Sequence, residues 1–343
     1  MPRRLLLLGG GPQHLQVLAA FAREPLAGAE LALLTPDAQL VQPALVPAFV
    51  AGRVPAEGCR VDTAALAAAA GATWLRARAV AFDAATRSVT LADGDTLTAD
   101  VVSLDEPPRT DADALPGARE HALALHPAVR FVALFDGLVA LAQERVLDLV
   151  VLGHGAEALE LVLALDERLG ARRGREERVR VALVAGEAGV LPGWPAPVQR
   201  WAAAALERAR VAVFREPCAA LQAGHAVLAS GARLACDAAL LATPPQPVGW
   251  LPAQAAPGVV VAPPSGPREA AALARWLRRA VAAAPVAPLA VAAPPRRWLL
   301  GARGDAAWAW GPVRVTGWPL GALHQRLNQR ALPPLPATRS AGS

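Results

Sequence analysis

The chain has 343 residues, 54% of them apolar, which is enough for two domains with sizeable cores and excludes a disordered protein. Its 34 basic residues are all Arg, there is no Lys, Ile or Tyr, and the formal net charge is only +5. The densest basic run, Arg172 to Arg178, is interrupted by Glu176 and Glu177 and reads as a solvated loop, so a nucleic-acid partner is not expected. No Gly-x4-Gly-Lys is possible without Lys, and no Gly-x-Ser-x-Gly occurs, which disfavours P-loop and hydrolase chemistry.

In chain order, Arg4–Leu8 is an apolar run that reads as a buried strand. It ends on Gly9-Gly10-Gly11-Pro12-Gln13-His14 and continues as a helix over His14–Arg23. The four-residue apolar run before the first glycine is too short for a signal-peptide core. Glu30–Thr35 is the second strand, closed by Pro36-Asp37, which completes a βαβ unit. A helix over Ala64–Ala70 and a strand over Thr73–Ala77 follow. Ala79–Asp83, Ser88–Leu91 and Thr96–Thr98 read as a meander with an Asp93-Gly94 turn, and Val101–Leu104 as a returning buried strand. Pro107-Pro108 and Asp111–Asp113 mark a linker.

The pattern then restarts. A helix over Arg130–Ala142 leads into a strand over Asp148–Leu152 and a second glycine turn, Gly153-His154-Gly155-Ala156-Glu157-Ala158. A helix over Ala156–Leu169, a strand over Arg178–Val184, a helix over Pro197–Arg208 and a strand over Val211–Phe214 come next. A second hairpin region and a returning strand, Ala238–Leu241, close the repeat. Pro245–Pro267 is rich in Pro and Gly, Arg268–Ala283 is a helix, and Ala284–Pro295 a linker. Short strands at Trp298–Leu300, Ala307–Trp310 and Val313–Thr316 precede a basic helix over Leu320–Leu332. No run is a convincing membrane span, so a cytoplasmic protein is expected.

A strand that turns on glycines into a helix brings backbone N–H groups and a helix N-terminus against a diphosphate. Two such turns in one chain suggest two dinucleotide sites facing each other. Gly9 suits the tight turn and Gly11 the close approach, with His14 where the pattern has its third glycine. Thr35 and Asp37 end the second strand, where a ribose-binding carboxylate is expected. Gly153, Gly155 and Ala158 keep small residues at all three positions of the second turn. Glu187 follows the next strand, where its charge would repel a 2′-phosphate and favour NADH over NADPH. The six His give no metal-ligand spacing, and Cys59, Cys218 and Cys236 form no redox pair.

With these residues in place, the chain resembles the FAD and pyridine nucleotide-disulfide oxidoreductases, and within them the flavoprotein module sometimes fused to selenide, water dikinase, a relative of type II NADH dehydrogenases. Leu6–Leu18, with His14 at the third-glycine position, and Leu34-Thr35-Pro36-Asp37 carry the resemblance, together with Leu45–Gly52, Val101–Asp105 and His126-Pro127 with Phe131. Val150–Leu163 with Glu160, Leu191-Pro192-Gly193 and Gly304–Pro312 extend it over most of residues 5–330.

The resemblance implies an α/β fold of two Rossmann-like dinucleotide-binding domains. The FAD domain would have a first part at 1–112 and a shortened return at 256–290, an NAD(P) domain at 113–255 would be inserted, and a small Trp/Arg-rich region would occupy 291–343. FAD would lie on Gly9, Gly10, Gly11, Pro12 and His14, with Thr35, Asp37, Pro47, Val80 and Asp105 as further contacts. NAD(P)H would lie on Gly153, Gly155, Ala156, Glu160 and Glu187. No catalytic acid or base and no metal is implied, and the electron acceptor, a small molecule or a quinone, is left open. In the tail, Trp298, Trp308, Trp310 and Trp318 beside arginines suit either a peripheral membrane contact or an interdomain or homodimer interface, the latter being favoured.

The departures from that family are local. Glu106-Pro107-Pro108 and Ala242-Thr243-Pro244 stand where it has Gly and small residues. His126 replaces a Lys, Gln42 a Tyr, and no Ala-Gly-Asp lies between Val261 and Arg268. The alternative expectation is therefore a non-catalytic or flavin-free relative with the same fold.

Overall fold

The computed structural model describes residues 2–170, 178–246, 248–251, 256–262, 267–282, 289, 297–302, 305–310 and 313–316. Two five-stranded parallel sheets organise it. The first is built on β1 (Arg3–Leu8), whose four leucines are buried on both faces, as a central parallel strand requires. Gly9, at φ +97°, turns the chain into α1 (Pro12–Arg23), with Pro12 in the first turn, where its missing N–H costs nothing. β1 pairs with β2 (Ala29–Leu34) on one side and β4 (Val101–Leu104) on the other, and β3 (Ala72–Leu75) extends the sheet beyond β2.

The second sheet repeats this plan. β6 (Leu147–Leu152) is central and turns through Gly153 into α3 (Ala156–Leu169). It pairs with β7 (Val179–Val184) and β9 (Ala238–Leu241), and β8 (Ala212–Phe214) extends the sheet beyond β7. A three-stranded antiparallel sheet stands before each returning strand, Ala79–Asp83, Ser88–Leu91 and Thr96–Thr98 in the first half and Cys218–Gln222, His225–Leu228 and Arg233–Ala235 in the second. The fifth strand differs in origin. β5 (Ala122–Ala124) precedes the second half and lies beside β9, whereas β10 (Val259–Val261) returns after it to lie beside β4. The fold class is therefore the expected one.

Helix α5 (Pro267–Ala282) packs on α1, and Leu273 and Leu277 join Leu15, Leu18 and Phe21 in the first core. The second core holds α2 (Ala128–Glu144), α3 and α4 (Ala196–Arg208), and also takes in residues of the 41–59 segment, including Leu45, Phe49 and Val50. Gln39–Val41 pairs antiparallel with Arg60–Asp62, and the short helix Val46–Val50 between them lies against α3.

Strand boundaries fall within one or two residues of those expected for most elements, and the Ala79–Thr98 meander and α3 coincide with them. The 39–62 segment and β5 were not anticipated, because three- to five-residue elements carry no period. Strands Arg297–Ala302, Asp305–Trp310 and Val313–Thr316 form an antiparallel sheet against α3 and α4. The tryptophan and arginine side chains of that region, most of the basic run at 172–178 and the helix expected over 320–332 lie outside the described residues. Among the described residues no helix is long and apolar enough to cross a membrane.

Candidate functional site

The two turns share the backbone bonds of their first glycine, and in the first turn Gly11 N–H also donates to Asp105 O at 2.7 Å. Gly9 N–H donates to Leu34 O at the end of β2, and Gly153 N–H donates to Val184 O at the end of β7. Each first glycine lies against the carbonyl of the residue that follows the returning strand, Asp105 in one half and Ala242 in the other, and a side chain at either glycine would strike it. Asp105 N–H donates to Leu8 O, and Ala242 N–H to Leu152 O, both at 2.9 Å. Asp105 and Ala242 are thus the same position of the repeated fold.

The side chain and the carbonyl of Asp105 together make the turns unlike. The Asp105 carboxylate lies over Gly11, where any Cβ would run into it. Its Oδ2 accepts from the backbone N–H of Gln13 at 2.7 Å and of His14 at 2.8 Å, the first amides α1 offers after Pro12. Burial pushes the Asp105 carboxyl up, and the neighbouring His14 and the two amides pull the other way. At the second turn, Gly155 has ordinary extended backbone, φ −85°, and a Cβ there would meet open space.

A cavity of about 620 Å³ opens at the first turn. Gly10, Pro12, Gln13, Asp37 and Asp105 line one side, and Leu40, Val41 and Pro43 form a wall. His126, Pro127, Ala128 and Val129 line it from the second half, with Glu157 from the first turn of α3. His126 Nε2 lies 3.0 Å from Glu157 Oε2. The cavity is therefore shared by both halves and reaches the start of α3. Asp37 sits on its wall, with its carbonyl held by the Thr63 hydroxyl at 2.7 Å. Burial raises the Asp37 carboxyl, while Arg78 and Arg109 lower it. Burial also raises Glu106, paired with Arg109 at 3.6 Å.

Several expected site residues lie elsewhere. The His14 ring is 0% exposed and holds the turn together instead of facing a ligand. Gly9 O, 2.7 Å from Nδ1, can only accept, so Nδ1 carries the proton and Nε2 accepts from the Ser103 hydroxyl at 2.8 Å. Burial holds this imidazole below its ordinary pKa, and so neutral. Thr35 is 2% exposed and does not line the cavity, and its hydroxyl lies beside Gly10 and accepts from Asp37 N–H at 3.4 Å. Val80 is 44% exposed on the first meander, and neither it, Pro47 nor Glu160 lines the cavity. Pro47 lies in the first turn of the short helix that packs on the second half, and Glu160 lies half-buried on α3. Glu187 is exposed just beyond β7, beside Gly186 at φ +68°. His126 was legible only as a departure, and Glu157 not at all, since their contact joins segments far apart in the chain. The three thiols are unpaired, and burial pushes Cys59 and Cys236 up to about 11, unlike poised thiolates.

Neither a protein-family model nor a curated protein sequence matches the chain. Solved structures do. The sulfide:quinone oxidoreductase from the hyperthermophilic bacterium Aquifex aeolicus superposes with a TM-score of 0.71 at 14% identity, over 96% of this chain and 90% of that one. NDH2 from Plasmodium falciparum, solved with NADH, gives 0.75 at 9% identity over 97% of each chain. CoADR-RHD from Bacillus anthracis gives 0.69 at 14% identity; 96% of this chain is covered, but it spans only 64% of that chain. At these identities the likeness is one of fold, which this chain shares with sulfide:quinone oxidoreductase and NDH2.

Proposed function

We propose that this chain is a divergent FAD-dependent oxidoreductase that takes hydride from NAD(P)H and passes electrons to a small-molecule or quinone-type acceptor. The observation that carries the reading is the shared cavity, which joins the first glycine turn to the start of α3 beside the second. The structural neighbours are of the same kind, among them NDH2 bound to NADH. FAD, when bound, would supply the two-electron chemistry, and the protein's part is to hold and orient. Asp37 fits a ribose hydroxyl pair. Gly155 and the start of α3 offer amides to the diphosphate of the nicotinamide nucleotide, and Glu187 favours NADH. The diphosphate seat at the first turn fits less well, because Asp105 already takes the Gln13 and His14 amides. That observation favours a second reading, a flavin-free relative that keeps the fold. A homodimer or a peripheral membrane contact through the C-terminal region belongs to the proposal on sequence grounds alone.

Spectra of the purified protein with added FAD test the choice. Flavin absorption that bleaches when NADH is added without oxygen supports the enzyme, and a folded protein that takes up no FAD leaves the flavin-free reading. Gly155→Ala places its methyl in open space at an ordinary φ, so stability should change by less than about 0.5 kcal/mol. NADH affinity should fall at least about tenfold if that space is the nucleotide's. Unchanged NADH binding would remove the second turn from the site.

A further inference from the structure

The two turns share the bonds of their first glycine and of their returning strand, yet one carries an anion of its own. Asp105 and Ala242 occupy one fold position, each bonded through its N–H to the last residue of the central strand. Ala242 ends in a methyl. Asp105 reaches over Gly11 and takes the amides of Gln13 and His14, leaving α1 no free N–H in the stretch from Pro12 to His14. A carboxylate against helix amides is what a phosphate oxygen would otherwise be. Gly11, read alone, is a close-approach glycine for a ligand; here it makes room for both the carbonyl and the carboxylate of Asp105, and its N–H donates to that carbonyl at 2.7 Å.

We propose that the Asp105 carboxylate is an internal anion seated where the first turn would take a dinucleotide's diphosphate, and that it sets that turn's affinity: the diphosphate enters only as the carboxylate leaves. This rests on the flavin reading of the shared cavity. Asp37 and Glu106 add negative charge nearby, and Arg78 and Arg109, which act on both, offset it. The second turn has no such competitor and binds its nucleotide without displacing a side chain. The chain is thus built with one closed and one open dinucleotide turn.

The test is a titration of the full-length protein with FAD, followed by quenching of flavin fluorescence, and with inorganic pyrophosphate, followed by calorimetry. Asp105→Ala removes the carboxylate and leaves the Gly11 N–H on the carbonyl of residue 105, and Asp105→Asn keeps an acceptor for the helix amides if the alanine variant does not fold. Both should bind FAD at least about tenfold more tightly than the parent, since a charge-assisted contact no longer competes, and pyrophosphate should follow. NADH affinity should not move. A folded variant with unchanged or weaker FAD affinity, beside a parent that binds FAD, overturns the role of Asp105 and leaves the flavin reading standing. If parent and folded variants alike bind no FAD, the flavin reading fails and this inference fails with it.

Discussion

His14 shows how one residue can look like a ligand and act as a brace. The sequence places it where the dinucleotide pattern has glycine, and the structure turns its ring inward between Gly9 O and Ser103 Oγ. Its consequence is a pH dependence whose sign follows from its lowered pKa. The ordinary value is 6.5, and the folded value lies below it. Unfolded chains therefore gain a proton first as pH falls through 6.5, and stability that is full above 6.5 is lost towards the folded pKa. One proton limits the slope to about 1.4 kcal/mol per pH unit. The buried carboxyls Asp37, Asp105 and Glu106 work oppositely, because their raised folded pKa values favour the folded form as the solution is acidified towards their ordinary range. Urea unfolding of His14→Asn between about pH 7.5 and 5, roughly the range in which an unperturbed imidazole titrates, should show a flatter decline than the parent. Equal slopes would mean that the imidazole is not what loses stability there. Asp105 was legible as a candidate, but its partner amides were not. Strand, turn and helix are local patterns, whereas the contact with Gln13 and His14 depends on β4 lying beside β1.

At the scale of elements, the duplicated strand–turn–helix unit makes a transplant informative. The position after the returning strand decides whether a turn is closed, and it holds Asp105 once and Ala242 once. Ala242→Asp should therefore install a carboxylate over Gly155, where the space is open. The start of α3 would gain a cap, and NADH affinity should fall about tenfold or more while FAD affinity stays. Equilibrium dialysis against each nucleotide checks this, and an Ala242→Asp protein that binds NADH as the parent does would show that the two turns are not equivalent. The duplication itself was legible, since glycine turns, apolar runs and Asp-Gly or Ser-Gly hairpins recur in the same order. The origins of the two outer strands were not, because β5 and β10 are three-residue segments that gain their pairing only from the finished sheets.

At the scale of the whole molecule, the two halves are joined by a segment whose ends, Leu40 and Val61, pack in the first core and whose middle packs in the second. Residues 39–62 lie between β2 and β3 of the first sheet, yet Phe49, Val50 and Leu45 are part of the second core. The Phe49 ring meets Phe135 of α2 edge-on at 5.5 Å. Arg168 of α3 donates to Phe49 O at 3.2 Å, and Arg53 pairs with Glu167 at 3.1 Å. The hydrophobic term dominates, because Phe49 is fully enclosed while the ion pair is only partly shielded from water. Phe49→Ala should cost about 3–5 kcal/mol and leave a cavity between the halves. The cavity shared by the two turns depends on the same junction, since Leu40, Val41 and Pro43 form its wall. Hydrogen exchange should then quicken in β6 and α3 as well as in 39–62, with α1 and β1 less affected. Faster exchange confined to the first sheet would place the segment in the first half's folding unit instead. It would also separate the stability of the shared cavity from the packing of Phe49.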